Sequence, residues 1–248
     1  MQKYERYGMK NMKKWVHSFL TMVILCITMT GVVGCAKQEE VQNKEVACVD
    51  DLEGAIIGVQ IGTTGDIYVS DYEGDDAGTK IERYNKGADA IQALKLGKID
   101  CVVIDEQPAI QYVKQNSNIR IIEEEFTLEE YAFCIAKENT ELLGKVNAAV
   151  TKLQKDGTVE DIVKNYIGSE EEIGKYPYIS KDVDRSHGTL IMGTNAEFPP
   201  YEYHENNTIV GIDVDIMRAI SDELGMDLQI EDMAFDSIIA AVSSGKVN

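Results

Sequence analysis

The apolar positions change period several times along the chain, and each change marks an element. Residues 55–61 are a largely apolar run, the pattern of a strand covered on both faces. Gly62-Thr63-Thr64-Gly65 then reads as a turn, with a helix starting within 66–72. A short strand at 81–84 precedes helical spacing through Ile91 and Leu94 that stops at Gly97. Residues 101–104 form another buried strand, Pro108 suits the first turn of a helix, and 119–122 and 131–136 read as further strands. Leu142, Leu143, Val146, Val150 and Leu153 make one helical stripe closed by Gly157; Val159, Ile162, Val163 and Tyr166 make the next, closed by Gly168. From residue 189 the pattern begins again. A strand reaches Gly193, an aromatic loop follows, and Ile212, Ile216, Ala219, Ile220 and Leu224 form a helical face ending at Gly225. Leu228 and Ile230 alternate as a strand, and Phe235, Ile238, Ile239 and Val242 form a last helical face before Gly245. This alternation predicts an α/β fold of mostly parallel sheets flanked by helices, with ligands held beyond the carboxyl ends of the strands.

Composition narrows the partners. A chain of 248 residues suits one or two domains, and its net charge of −19 argues against nucleic acid and against an anionic membrane surface as the main partner. The first 35 residues stand apart. Lys10, Lys13 and Lys14 precede the run 15–33, which holds no Asp, Glu, Lys or Arg. That is the make-up of an export signal; a membrane-spanning helix is the other reading of so long a run. Val32-Val33-Gly34-Cys35 looks like a bacterial lipobox, which implies a lipoprotein signal over residues 1–35, cleaved just before Cys35, and lipid, such as palmitate, on Cys35 as the new N-terminus. Residues 36–49 read as a tether and 169–187 as a linker. Cys26 lies in the signal, Cys101 and Cys134 read as small core residues of strands, and no cysteine or histidine spacing suggests a metal. No phosphate loop or nucleophile–base pair is visible, so neither a cofactor nor catalysis is expected.

Several motifs together resemble the bacterial extracellular solute-binding proteins of the polar amino-acid family, two-lobed receptors with the type 2 periplasmic-binding-protein fold. Gly211-Ile212-Asp213-Val214-Asp215 is similar to that family's signature, and "GTNAEFPPYEY" to its first strand and ligand loop. "LEGAIIGVQIGTTGD" and "GKIDCVVIDEQPA" resemble parts of the second lobe, and residues 129–168 the return strand and closing helices. The resemblance implies lobe 2 at 50–133, the return strand and closing helices of lobe 1 at 134–168, and the first half of an incomplete lobe 1 at 188–248. The order departs from the family, where the "GTNAEFPPYEY" half comes first. A circular permutant and a broken tandem both account for it. In the family a third lobe-1 strand and a carboxylate-pairing arginine follow the motif "SSGKVN"; Arg83, Arg120, Arg185 and Arg218 lie in other motifs.

The candidate binding residues follow from chemistry and resemblance together. The glycines of Gly62-Thr63-Thr64-Gly65-Asp66 permit a tight turn onto a helix N-terminus, whose free N–H groups suit a ligand carboxylate or a simple helix cap. The resemblance favours ligand contact by Thr63, Thr64 and Gly65. Asp105 ends "CVVID" and reads either as a helix N-cap or as the acceptor for a ligand ammonium, the role the family implies. Phe198 and Tyr201 offer rings for stacking, and Asn195 matches a position that meets a polar ligand side chain. Glu197 reads as solvated, and Asp213 and Asp215 as acids favoured by a helix start. The function implied is an extracytoplasmic receptor, held at the membrane through its lipid. It delivers a small amino acid to an ABC-type importer permease, and a strand-swapped dimer is one consequence of an open lobe-1 sheet edge. The alternative is a truncated tandem or fusion fragment, or a sensor input module, with weak or no binding.

Overall fold

The computed structural model describes residues 44–74 and 76–248; the predicted signal, Cys26 and the lipidation candidate Cys35 lie outside them. Two α/β halves follow one another. In lobe 2 a 3-10 turn at Val49–Leu52 leads into β1 (Ile56–Gln60), α1 (Thr64–Val69), β2 (Lys80–Tyr84), α2 (Gly87–Lys95), β3 (Cys101–Val102) and α3 (Glu106–Gln115). The strands are all parallel, in the order β2-β1-β3. As the central strand, β1 is covered on both faces, which is why its sequence is a run and not an alternation. Ile57 and Val59 are fully buried and meet Val69, Ile81 and Cys101. Val46, inside the segment read as a tether, is buried in this same cluster.

Lobe 1 combines α4 (Thr140–Lys155) and α5 (Thr158–Ile167) with β4 (Thr189–Thr194), α6 (Ile212–Leu224), β8 (Asp227–Asp232) and α7 (Ile238–Ser243). β4 and β8 pair in parallel. The stripes of α4, α5 and α6 close one core in which Leu142, Val146, Leu153 and Ile162 meet Leu190, Met192, Val214 and Ile220. Residues 140–167 and 188–248 therefore share a core although a linker separates them. That linker is docked: Tyr178 Oη, Lys181 N and Arg185 all donate to Asp222 of α6.

The two sheets are built on one plan. In lobe 2 the turn after α2 brings Asp100 beside β1, where its N–H donates to Ile56 O at 2.8 Å and its carboxylate accepts from Ile56 N at 2.7 Å. In lobe 1 the turn after α7 brings Asn248 beside β4, where its N–H donates to Ile191 O at 3.0 Å and its side-chain oxygen accepts from Ile191 N at 2.6 Å. Ile99 and Val247, the preceding residues, are both buried. Each leans on a strand glycine: a Cβ on Gly58 would fall 2.4 Å from Ile99, and one on Gly193 3.1 Å from Val247. The expected α/β class with two unequal lobes is what the chain adopts; lobe 2 has three parallel strands, and β4 has β8 as its one strand neighbour among the described residues.

Three expectations fail. Residues 119–122 form no strand, because β3 is only two residues long and offers no ladder for a further strand. Residues 131–136 form none either. Phe133 and Ile135 pack on the lobe 1 core while Ala132 and Cys134 are exposed, so a two-residue alternation survives over 132–135 without a partner edge. Cys134 is thus exposed, on the outward phase, whereas Cys101 is buried as expected. Conversely, the aromatic loop holds a small antiparallel sheet of β5 (Glu197–Phe198), β6 (Glu202–Glu205) and β7 (Thr208–Val210). Its hairpin turns on Asn206 and Asn207, both at positive φ, where asparagine is tolerated.

Candidate functional site

The carboxyl ends of β1 and β4 face each other, and the first contact across the seam is between their last polar groups. Gln60 Nε2 donates to Asn195 Oδ1 at 2.8 Å, both residues buried, and Asn195 Nδ2 donates to Met233 O. Beside this pair, Lys86 at the start of α2 forms an ion pair at 2.6 Å with Glu197. Glu197, read from the sequence as solvated, is therefore a cross-seam partner. Asn195 lies at the seam but its amide is engaged by the chain itself.

The Thr63 loop is capped internally. Thr63 Oγ1 accepts from Asp66 N at 3.3 Å and donates to Gln60 O at 2.8 Å, and Gly62 N donates to the Asp66 carboxylate at 2.9 Å. Gly65 is buried against Val103, where a Cβ would meet the side chain at 3.3 Å. Asp66 in turn binds Arg83 at 2.7 Å. Of the loop residues, Thr64 directs its hydroxyl to another segment, donating to Glu129. Partial burial and the neighbouring Asp105 raise the Glu129 carboxyl above its ordinary value, and the Thr64 bond pulls it back down.

Asp105 is the N-cap residue of α3 by position, yet its side chain makes no capping bond. It accepts instead from the Tyr131 hydroxyl. Burial, and then the bond to Asp105, push the Tyr131 phenol far above its usual range. The Tyr131 ring lies 4.7 Å from that of Tyr201, and Tyr201 stacks on Phe198 at 5.8 Å with 24° between planes. Gly211 fixes the backbone under Tyr201: at φ +135° its missing Cβ leaves room for Tyr201 O, which a side chain would approach to 2.0 Å. Thr64, Asp105, Tyr201 and Phe198 thus converge on one segment, 129–131, whose Glu129 and Tyr131 occupy their polar groups.

Glu129 and Tyr131 were missed from sequence, because the run 131–136 reads as a strand leaving the site. Gln60 was legible by the logic that selected Asp105, a polar residue closing a buried strand. The four described arginines are committed elsewhere: Arg83 to Asp66 and Glu73, Arg120 to Val46 O, Arg185 to Asp222 and Arg218 to Asp215. The helix-start acids are not simply solvated. Asp215 is buried between Tyr166 and Arg218, while Asp213 pairs with Glu202, whose Oε2 has no partner. Burial raises both carboxyls of that pair, Glu202 well above the ordinary range, so they share a proton at neutral pH. Among the described residues no cluster of three metal-ligating side chains is found.

Two α/β halves that meet at the carboxyl ends of β1 and β4 have the two-lobed plan of the periplasmic-binding-protein fold. Residues 190–248 match the family model of bacterial extracellular solute-binding proteins, family 3, which bears out the resemblance read from the motifs. The chain is 28% identical over 144 residues to the L-cystine-binding protein TcyJ of Escherichia coli K12, covering 58% of this chain and 52% of that protein. A match of that length takes in residues before 190. It is 42% identical over 59 residues to the arginine-binding extracellular protein ArtP of Bacillus subtilis 168, covering 24% of this chain and 23% of that one. Among solved structures, an ancestral arginine-binding protein bound to glutamine aligns at 37% identity with a TM-score of 0.47, covering 52% of this chain and 56% of the other. The chain spans about half the length of the TcyJ relative it matches.

Proposed function

We propose that the chain binds a small amino acid between its lobes, at the seam where Thr64, Asp105, Tyr201 and Phe198 converge. The observation that carries this reading is the pair of groups filling the seam. A carboxylate, Glu129, takes the Thr64 hydroxyl, and a hydroxyl donor, Tyr131, takes Asp105. One anionic acceptor and one donor beside stacked rings are what the backbone of a zwitterion presents, and Asp105 holds a ligand ammonium by a charge-assisted bond stronger than the one to the neutral phenol. The amino-acid-binding relatives support the same ligand class.

In this reading the segment 129–131 is a stand-in that the ligand displaces, and closure of the lobes follows from contacts made by the ligand in the closed state. Side-chain selection falls to Asn195, Glu197 and Phe198. The receptor is held at the extracytoplasmic face through Cys35 and serves an ATP-driven importer; the open edge of β4 is the place for strand exchange between two copies. Thermal-shift and calorimetric titration of the full chain with the common amino acids tests the reading. Binding should raise the melting temperature by mass action and be lost in Asp105→Asn. A flat response across the panel at millimolar ligand, or full binding by Asp105→Asn, would refute it.

A further inference from the structure

A second concavity lies on lobe 2, built from residues that the seam does not use, with Tyr68 one turn along α1 from Thr64. It has a volume of about 460 Å³ and is lined by Glu53, Tyr68, Asp71, Tyr72 and Phe126. Three of the five are aromatic, and their rings stand in different planes. Phe126 meets Tyr68 edge-on, at 6.2 Å and 86°, and Tyr72 obliquely, at 6.5 Å and 40°. The Tyr68 and Phe126 rings stand at right angles, so they bound the concavity from two directions. Tyr72 and Phe126 are anchored in the lobe 2 core, while Tyr68, on α1, is 45% exposed and leaves the cup open to solvent.

The two charged side chains that line this cup, Glu53 and Asp71, are both acids. Among the described residues neither the Glu53 nor the Asp71 carboxylate has an ion-pair partner, although Arg83 pairs with Glu73 and Asp66 close by in sequence. Lys44, the chain's own cation at Glu53, is engaged by the Glu53 backbone carbonyl. Aromatic faces attract cations through the negative face of the ring, and most strongly those that surrender water easily. A hydrated metal ion wants several oxygens in close array, which two carboxylates on separate segments do not give. An apolar guest would gain nothing from the two acids.

We propose that this cup is a binding site for a quaternary ammonium cation, with Tyr68, Tyr72 and Phe126 as its walls and Glu53 and Asp71 as its counter-charge. It is separate from the seam and does not depend on the function proposed there. The test compares choline with 3,3-dimethyl-1-butanol, which has the same shape with carbon in place of the charged nitrogen, by calorimetry and saturation-transfer NMR on the full chain. Choline should bind about tenfold more tightly than its neutral counterpart. Tyr68→Leu and Phe126→Leu, which keep apolar bulk but remove the ring faces, should abolish that preference. Equal affinity for the two compounds, no choline binding at tens of millimolar, or a preference kept in both leucine variants would each overturn the proposal. The comparison of the two compounds on the unsubstituted chain decides the matter even where a variant does not fold.

Discussion

Removing one oxygen from Tyr131 separates the stand-in from the site it fills. In Tyr131→Phe the ring keeps its place 4.7 Å from Tyr201, but the hydroxyl that donates to Asp105 is gone. A hydrogen bond to a charged group contributes about 1.5–3 kcal/mol when shielded from water. Tyr131 is 56% exposed, so solvent screening discounts this to about 1 kcal/mol. A ligand ammonium that must take Asp105 from the hydroxyl is spared that cost in the variant, and its affinity should rise about fivefold. Calorimetric titration with an amino acid identified in the screen reads the change directly. Limited proteolysis supplies a ligand-free check: cleavage within 129–136 should be faster in the variant, and ligand should accelerate it in the unsubstituted chain. Weaker ligand binding by Tyr131→Phe would refute the reasoning, for it would make the hydroxyl a ligand contact and not a competitor. Unchanged cleavage within 129–136 in the presence of bound ligand would do the same.

Other outcomes follow from the buried polar groups. Glu202 is protonated in the native state at pH values where an unfolded Glu, with its ordinary value of 4.5, has released its proton; its contribution is full below 4.5 and falls as pH rises toward the raised native value, by about 1.36 kcal/mol per pH unit. Glu202→Gln should therefore gain stability over the unsubstituted chain at about pH 8 compared with about pH 5 in urea unfolding, and a gap that does not change with pH would contradict the shared proton. Asp222→Ala strips the acceptor from Arg185, Tyr178 and Lys181 N and should cost about 3–5 kcal/mol in the same assay. Burial tends to raise the Asp222 carboxyl, but the bonds from Lys181 N, Tyr178 and Arg185 together hold it below its ordinary 3.8, so its contribution is present above 3.8 and is lost as pH falls through the native value. Asn195→Ala removes the shorter of the two bonds from Gln60 Nε2, leaving Asn85 O at 3.3 Å, and should cost about 1 kcal/mol, whereas the Gln60→Leu, Asn195→Leu double variant should cost less than the sum of the single changes.

The elements were legible wherever a local period recorded a packed face. The stripes of 142–153 and 159–166 became α4 and α5, and the run 55–61 became the central strand β1, because those patterns answer to burial that each element achieves against its immediate neighbours. Residues 131–136 carry an equally good strand pattern and form no strand, since pairing depends on an edge elsewhere in the chain and the pattern holds no record of it. The candidate site divides along the same line. Asp105, Phe198 and Tyr201 could be picked out because a strand end and an aromatic loop place side chains by local rules. Which group fills the site could not: Glu129 and Tyr131 reach Thr64 and Asp105 through tertiary contact across 65 residues in one case and 26 in the other.

The likeness of the two lobes explains why the seam forms where it does. Ile56 and Ile191 are held by equivalent pairs of bonds, from Asp100 and from Asn248. Counting forward four residues from each gives Gln60 and Asn195, the two side chains that bond across the seam. Both therefore sit at the same height on their sheets, and a pair of like-built lobes facing each other brings them together without further specification. An amide suits such a position because it carries both donor and acceptor, so each partner can satisfy the other whichever way the lobes approach. The acids and rings around the pair differ between the lobes, with Thr64 and Asp105 on one side and Phe198 and Tyr201 on the other. The shared plan thus sets the place of contact, and the departures from it give the seam one polar wall and one aromatic wall, which suits the amino-acid ligand proposed above.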